Sequence, residues 1–230
     1  MNVALVSVGD ELLSGDTVNT NATWLGKQLS ERGSSVERVT VLPDRIADIA
    51  RVINEYAAEY DAVITTGGLG PTHDDRTMEA VAAAVGRQLE TSEAALEWLS
   101  DESGYERSDL TEGTADIPVD SRPLHNTAGV APGCVVENIY VLPGVPAEMK
   151  AMFESIAPEF DGQKRYVASV TLEEPESALV DRLRGLEERF DVKVGSYPGE
   201  NVRVKIEGTD PDAVDDAAAW LRENGTEVSE

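Results

Sequence analysis

The sequence predicts an α/β protein with a doubly wound, mostly parallel sheet, followed by a small C-terminal α+β module. Three observations lead there. Apolar strand-like runs alternate with helical patterns through the first half of the chain, which builds parallel sheets with right-handed crossovers. A glycine-rich turn, TTGGLGPTHDDRT (65–77), follows the third strand and precedes a helix. Beyond about residue 160 the order becomes strand, helix, strand, strand, helix. The boundary is expected between 163 and 164, giving units 1–163 and 164–230.

In chain order, NVALVSVG (2–9) reads as a central strand. NATWLGKQLSERG (21–33) has apolar positions at helical spacing, with Gly33 placed to end the helix. SVERVTVLP (35–43) is a second strand, and DRIADIARVINEYAAEY (44–60) a strongly amphipathic helix that Asp44 is expected to cap. DAVIT (61–65) is a third strand, and MEAVAAAVGRQL (78–89) a helix after the glycine turn. SEAALEWLSDESG (92–104) opens a segment that begins helical and turns polar. GVAPGCVV (129–136) and NIYVL (138–142) read as a hairpin or two adjoining strands. PGVPAEMKAMFESIAPEF (143–160) is a loop entering a helix that Pro158 should end. The tail holds a strand at 165–172, a helix at 175–190 with Pro175 near its first turn, a hairpin over 192–198 and 201–208, and a closing helix at 210–224.

A chain of 230 residues with 41% hydrophobic content can bury a sizeable core. No run of about 18 apolar residues occurs, so no membrane span is expected. The N-terminus lacks a basic stretch and reads as a first strand rather than a signal peptide. A single cysteine, Cys134, leaves no internal disulfide to form and fits a reducing cytoplasm, the expected location. Its strand context suggests packing, not nucleophilic chemistry. The net charge of −25 comes from 44 Asp and Glu against 19 Lys and Arg, mostly arginine, spread along the chain. Such a surface suits high cytoplasmic salt, where the charges are screened, and an extreme halophile is the expected source. The competing reading is an acidic surface for a basic partner. With no basic stripe, nucleic acid is not expected as a partner.

The glycine turn is the most informative segment. Gly67, Gly68 and Gly70 let backbone approach a ligand without a Cβ clash, and the unpaired N–H groups of the next helix favour an anion. Asp74 and Asp75 add oxygen ligands of the kind a hard cation needs beside phosphate. The bland alternative is a tight turn whose aspartates favour the helix dipole. Two adjacent aspartates carry more negative charge than a phosphate site tolerates without a cation, which favours at least one metal ligand. GDELLSGDTVNTN (9–21) leaves strand one at the same sheet edge, so Asp10 is expected to face Asp74 and Asp75. Turn and cap chemistry explains this segment equally well. NTAGVAPG (126–133) and PGVPAEM (143–149) can narrow a pocket mouth. Glu148 there fits a metal ligand, a general base or a helix N-terminal charge. The two histidines, His73 and His125, are expected in solvent rather than as a metal pair. No Walker A, dinucleotide or nucleophile-elbow motif is present.

These four motifs, in this order over about residues 1–165, resemble the CinA (competence/damage-inducible protein A) family, whose N-terminal domain has the molybdopterin-binding fold. The tail resembles the small KH-like module of longer members. Because the sequence stops there, the amidase domain and deamidase activity of bacterial members are not expected. The resemblance implies a nucleotide-diphosphate site of the kind that hydrolyses ADP-ribose or FAD with a divalent cation (Mg²⁺, Mn²⁺ or Co²⁺). It implies ligand binding by Gly9, Asn19, Asn21, Thr66, Gly67, Gly68, Gly70, Pro71, Thr72, Gly144 and Pro146. Asp10, Asp74 and Asp75 would hold the metal, with Glu11 as an alternative to Asp10, and Asp74, Asp75 and Glu148 would be catalytic. The same fold binds pterin phosphates, so a non-catalytic cofactor-binding protein is the rival reading. A homo-oligomer is expected from related families.

Overall fold

The computed structural model describes residues 1–70, 75–101, 113–162 and 165–226. It divides into two compact units, Met1–Gly162 and Gln163–Glu230. The first is built on a six-stranded sheet. Strand β1 (Asn2–Val8) is buried along nearly its whole length, as a strand covered on both faces must be. A short helix α1 (Asp10–Ser14) and helix α2 (Thr20–Glu31) lead to β2 (Ser35–Leu42), then α3 (Ile46–Glu59) and β3 (Ala62–Thr66). Helix α4 (Thr77–Ala84) is followed by β4 (Leu89–Thr91), α5 (Glu93–Asp101) and β5 (Asp116–Pro118), with β4 and β5 paired antiparallel as a separate two-stranded sheet. Strands β6 (Arg122–Leu124), β7 (Gly133–Val136) and β8 (Ile139–Leu142) return to it, and α6 (Pro146–Ile156) runs into a 3-10 turn at Ala157–Phe160.

The spatial order is β2-β1-β3-β8-β7-β6. The first four strands are parallel, whereas β7 and β6 run antiparallel to their neighbours. Helices α2 and α6 cover one face, where Leu25, Leu29, Met149, Met152 and Phe153 pack on Leu5 and Ile64. Helices α3 and α4 cover the other, with Ile49, Ile53, Ala80 and Val81 on Val6 and Val63. Phe153 is wholly buried and meets Trp24 edge-on at 5.5 Å and Phe160 at 5.7 Å. Cys134 is buried in the second layer. Burial pushes its thiol up to about 12, so it is a core residue, as its sequence context suggested.

Several local expectations are corrected. Residues 10–14 form a helix rather than an open turn, closed by Gly15 in the left-handed region at φ 82°. Asp44 does not cap α3, which starts without a side-chain cap. Its carboxylate instead accepts the Asp10 backbone N–H at 2.9 Å. The helix expected over 78–89 ends at Ala84, because Gly86 takes φ 67° and turns the chain into β4. Gly33, at φ 83°, ends α2 as expected.

The second unit comprises β9 (Tyr166–Leu172), α7 (Glu176–Phe190), β10 (Lys193–Tyr197), β11 (Val202–Gly208) and α8 (Pro211–Glu223). Its antiparallel sheet, ordered β10-β11-β9, packs one face on both helices through Val170, Leu179, Leu186, Val204, Ile206 and Leu221. Arg182 pairs with Glu174 and also donates to the Asn224 carbonyl at 2.5 Å. The Arg182 hydrogen bond, followed by the Thr226 N–H, draws the Glu174 carboxyl down to about 2.

Phe153→Ala should destabilise the first unit by about 3–5 kcal/mol in a denaturant titration, the usual cost of emptying a large core site. The Glu174 carboxyl lies lower in the folded than in the unfolded chain. Its stabilising contribution is therefore complete above the unfolded value near 4.5 and is lost as pH falls towards about 2. In acid titrations, Glu174→Gln should lower the stability of the second unit at neutral pH, and the difference from wild type should vanish near pH 2.

Candidate functional site

The C-terminal ends of β1, β3 and β8 lie side by side, and the loops leaving them and β2 enclose a cavity of about 560 Å³. Open α/β sheets hold their ligands at this edge. The β1 loop supplies Gly9, Asn19 and Asn21, the β2 loop Asp44, the β3 turn Thr66 to Gly70 and Asp75, and the β8 loop Pro143 to Pro146 with Glu148 beyond.

The glycines are required by contact as well as by dihedral angle. Gly67 has φ 102° and Gly68 φ 64°, both in the region that side chains disfavour. A Cβ on Gly67 would run into the Val8 carbonyl oxygen, and one on Gly68 into Thr77 Oγ1. A Cβ on Gly144 would stand 3.2 Å from Gly67 Cα. Gly67 N–H donates to Leu142 O at 3.2 Å, and Thr77 N–H to Gly68 O at 3.1 Å. Three strand ends thus meet through bare backbone, and the turn is tied to the start of α4.

Two asparagines brace the opposite wall. Asn19 Oδ1 accepts the Ala22 N–H at 3.1 Å, capping α2, while its Nδ2 donates to Ser7 Oγ on β1 at 3.0 Å. Asn21 Nδ2 donates to Gly144 O at 2.7 Å, so α2 holds the PGVP loop in place. Its buried Oδ1 has no hydrogen-bond partner among the described residues. The Glu148 carboxylate accepts from Asn126 Nδ2 at 2.7 Å.

The charge of the cavity is one-sided. Glu11, Asp44, Asp75 and Glu148 line it, and among the described residues no Lys, Arg or His does. An all-oxygen donor set suits a hard cation such as Mg²⁺ and gives an anion no cationic side chain to pair with. No group of three or more His, Cys, Asp or Glu close enough to hold a metal occurs among the described residues.

Of the residues expected from sequence, Gly9, Asn19, Asn21, Thr66, Gly67, Gly68, Gly70, Asp75, Gly144, Pro146 and Glu148 all line the cavity. Pro71, Thr72, His73 and Asp74 lie outside the described residues. Asp10 does not line it. It is exposed at the start of α1, and the helical turn carries Glu11 into the lining instead. His125 is exposed, stacks on Trp98 at 4.8 Å and is not part of the cavity lining. Asp44 and Asn126 were missed as site residues. Asp44 follows a strand at the ligand-binding edge, a signal that its reading as a helix cap obscured.

Residues 4–162 match the family model described as a probable molybdopterin binding domain. The chain belongs to this family. Residues 164–229 match the middle domain of FAD synthase. A protein of Archaeoglobus fulgidus is 38% identical over 225 residues, covering 97% of each chain. One from Pyrococcus furiosus is 38% identical over 255 residues, covering 100% of this chain and 99% of its own. Among solved structures, CinA of Thermoplasma acidophilum, a protein described as of unknown function, superposes with a TM-score of 0.63. It is 36% identical and covers 70% of this chain and 99% of its own. The molybdopterin-binding domain is thus CinA-like, with the mostly parallel α/β sheet the sequence predicted. Among the described residues no helix is long and apolar enough to cross a membrane.

Gly67→Ala should cost about 1–3 kcal/mol from the dihedral penalty alone. The steric conflict with the Val8 carbonyl adds to it, so chemical denaturation should show a loss at or above the upper end of that range.

Proposed function

We propose that this molybdopterin-binding domain hydrolyses the diphosphate bond of a dinucleotide-like substrate of the ADP-ribose or FAD type, with a divalent cation. The observation that carries this reading is the pairing of a phosphate-shaped glycine turn with a cavity whose only charged lining residues, among those described, are carboxylates. A diphosphate could not enter such a site uncompensated, because like charges in a partly desolvated cleft repel strongly. Asp75, with Asp74 beside it in sequence, would hold Mg²⁺, Mn²⁺ or Co²⁺. When bound, the cation supplies charge neutralisation and a more acidic water.

The chain's own groups do the rest. The backbone N–H groups of Gly68 and Gly70 cradle the phosphate oxygens, as glycine-rich turns before helices do, while Gly67, whose N–H is taken by Leu142 O, leaves room for the close approach. Asn21 holds Gly144 and Pro146 as the facing wall. Glu148 accepts the proton of the attacking water as its oxygen bonds to phosphorus and the bridging P–O bond breaks towards the second phosphate. The FAD synthase likeness of the second unit supports a flavin or adenine nucleotide as the substrate class. The net charge of −25 supports a halophilic setting.

Incubation with ADP-ribose or FAD in concentrated KCl should release AMP in the presence of Mg²⁺, Mn²⁺ or Co²⁺ and stop on adding chelator. Asp75→Asn should cut turnover on the order of a hundredfold or more while calorimetry still detects the nucleotide. Absence of AMP with every cation would overturn hydrolysis. The family description favours a second reading, non-catalytic binding of a pterin phosphate by the same glycines. A pterin that co-purifies with a protein showing no turnover would establish it.

A further inference from the structure

The geometry points to a dedicated positioning device for Glu148, built from Asn126 and Gly129 on the loop between β6 and β7. Asn126 is 1% exposed, and each polar atom of its side chain is engaged. Its Nδ2 donates to Glu148 Oε2 at 2.7 Å and to Ala131 O at 3.0 Å, and its Oδ1 accepts the Ala128 N–H at 3.2 Å. One amide therefore sets the shape of the loop and grips the carboxylate. Gly129 closes on the same group from another side. A Cβ there would overlap the Glu148 carboxyl carbon and both its oxygens, and these are its nearest neighbours.

Glu148 sits in the first turn of α6, where a carboxylate ordinarily reaches back to the helix's own N-terminal backbone. Here its Oε2 is instead held by an amide from another loop, and the cavity lies beside it. Two-sided contact removes the rotamer freedom that would otherwise blunt a general base. Asn126 is thus a positioning residue, acting through Glu148. Gly129 is the space that lets the carboxylate stay where Asn126 puts it. This rests on the reading of Glu148 as the group that accepts the proton.

The test is a double-mutant cycle on metal-dependent ADP-ribose hydrolysis, with Asn126→Ala, Glu148→Gln and the pair. Asn126→Ala should lower kcat about tenfold or more with KM changed less than about threefold, and should cost nothing further in the Glu148→Gln background. Gly129→Ala should lower kcat similarly at nearly unchanged Tm, because the group it displaces is the end of a flexible side chain and the backbone there is not in the left-handed region. Equal losses from Asn126→Ala in both backgrounds, or a Gly129→Ala protein with wild-type kcat, would overturn the inference. An independent readout needs neither substrate nor metal. The Asn126 side-chain amide resonance of the free protein should be protected from solvent exchange and should shift and lose that protection in Glu148→Ala. Should the wild type prove inactive, the hydrolytic reading falls, and the resonance alone decides whether Asn126 holds Glu148.

Discussion

The close approach of three backbones at Gly67 governs the first unit. The end of β1 presents the Val8 carbonyl, the end of β8 presents Leu142 O and Gly144, and Gly67 lies between them with no room for a side chain. Because the parallel strands terminate together there, their loops open onto one cavity. The helices matter to the site mainly through their first turns. Asn19 caps α2, Glu148 belongs to the first turn of α6, and Thr77 at the start of α4 closes onto Gly68. The buried layers around Phe153 on one face and Ile53 on the other hold those helix starts in register.

Electrostatics then narrows what the cavity can take. The charged lining residues, among those described, are four carboxylates, and together they repel a bare anion. The apolar side chains on its rim, Val18 at 78% and Val145 at 53% exposure, stand on two different loops at the same opening. They set apolar area beside the carboxylates and backbone groups of the lining. Such a mixture is usual for small-molecule pockets.

Much of this was legible in the sequence, for definable reasons. Continuous apolar runs such as Ala62–Thr66 and the helical periodicity of Ile46–Glu59 are strong local signals, and strand–helix alternation fixes which ends share an edge. Gly67, Gly68 and Gly144 could be placed because glycine before a helix or after a strand has few other purposes. What stayed hidden is what depends on distance in the chain. Asp44 looked like a cap because only the fold brings Asp10 N–H to it. Asn126 entered only as the first residue of NTAGVAPG at a pocket mouth, because its partner Glu148 lies 22 residues away. The three-residue strands β4, β5 and β6 are too short to show a period, and the one-residue difference between Asp10 and Glu11 depends on a helical turn that GDELLSG does not announce.

The two units keep separate hydrophobic cores, and the cavity draws every lining residue from the first. Cooperativity is therefore local. Heating or denaturant need not produce a single all-or-none transition, and one midpoint for the whole chain would average the melting of two cores. The same separation has an evolutionary side. Substitutions in the C-terminal module remove none of the described groups that line the crevice, whereas a single added methyl at Gly67 meets the Val8 carbonyl and disturbs its floor.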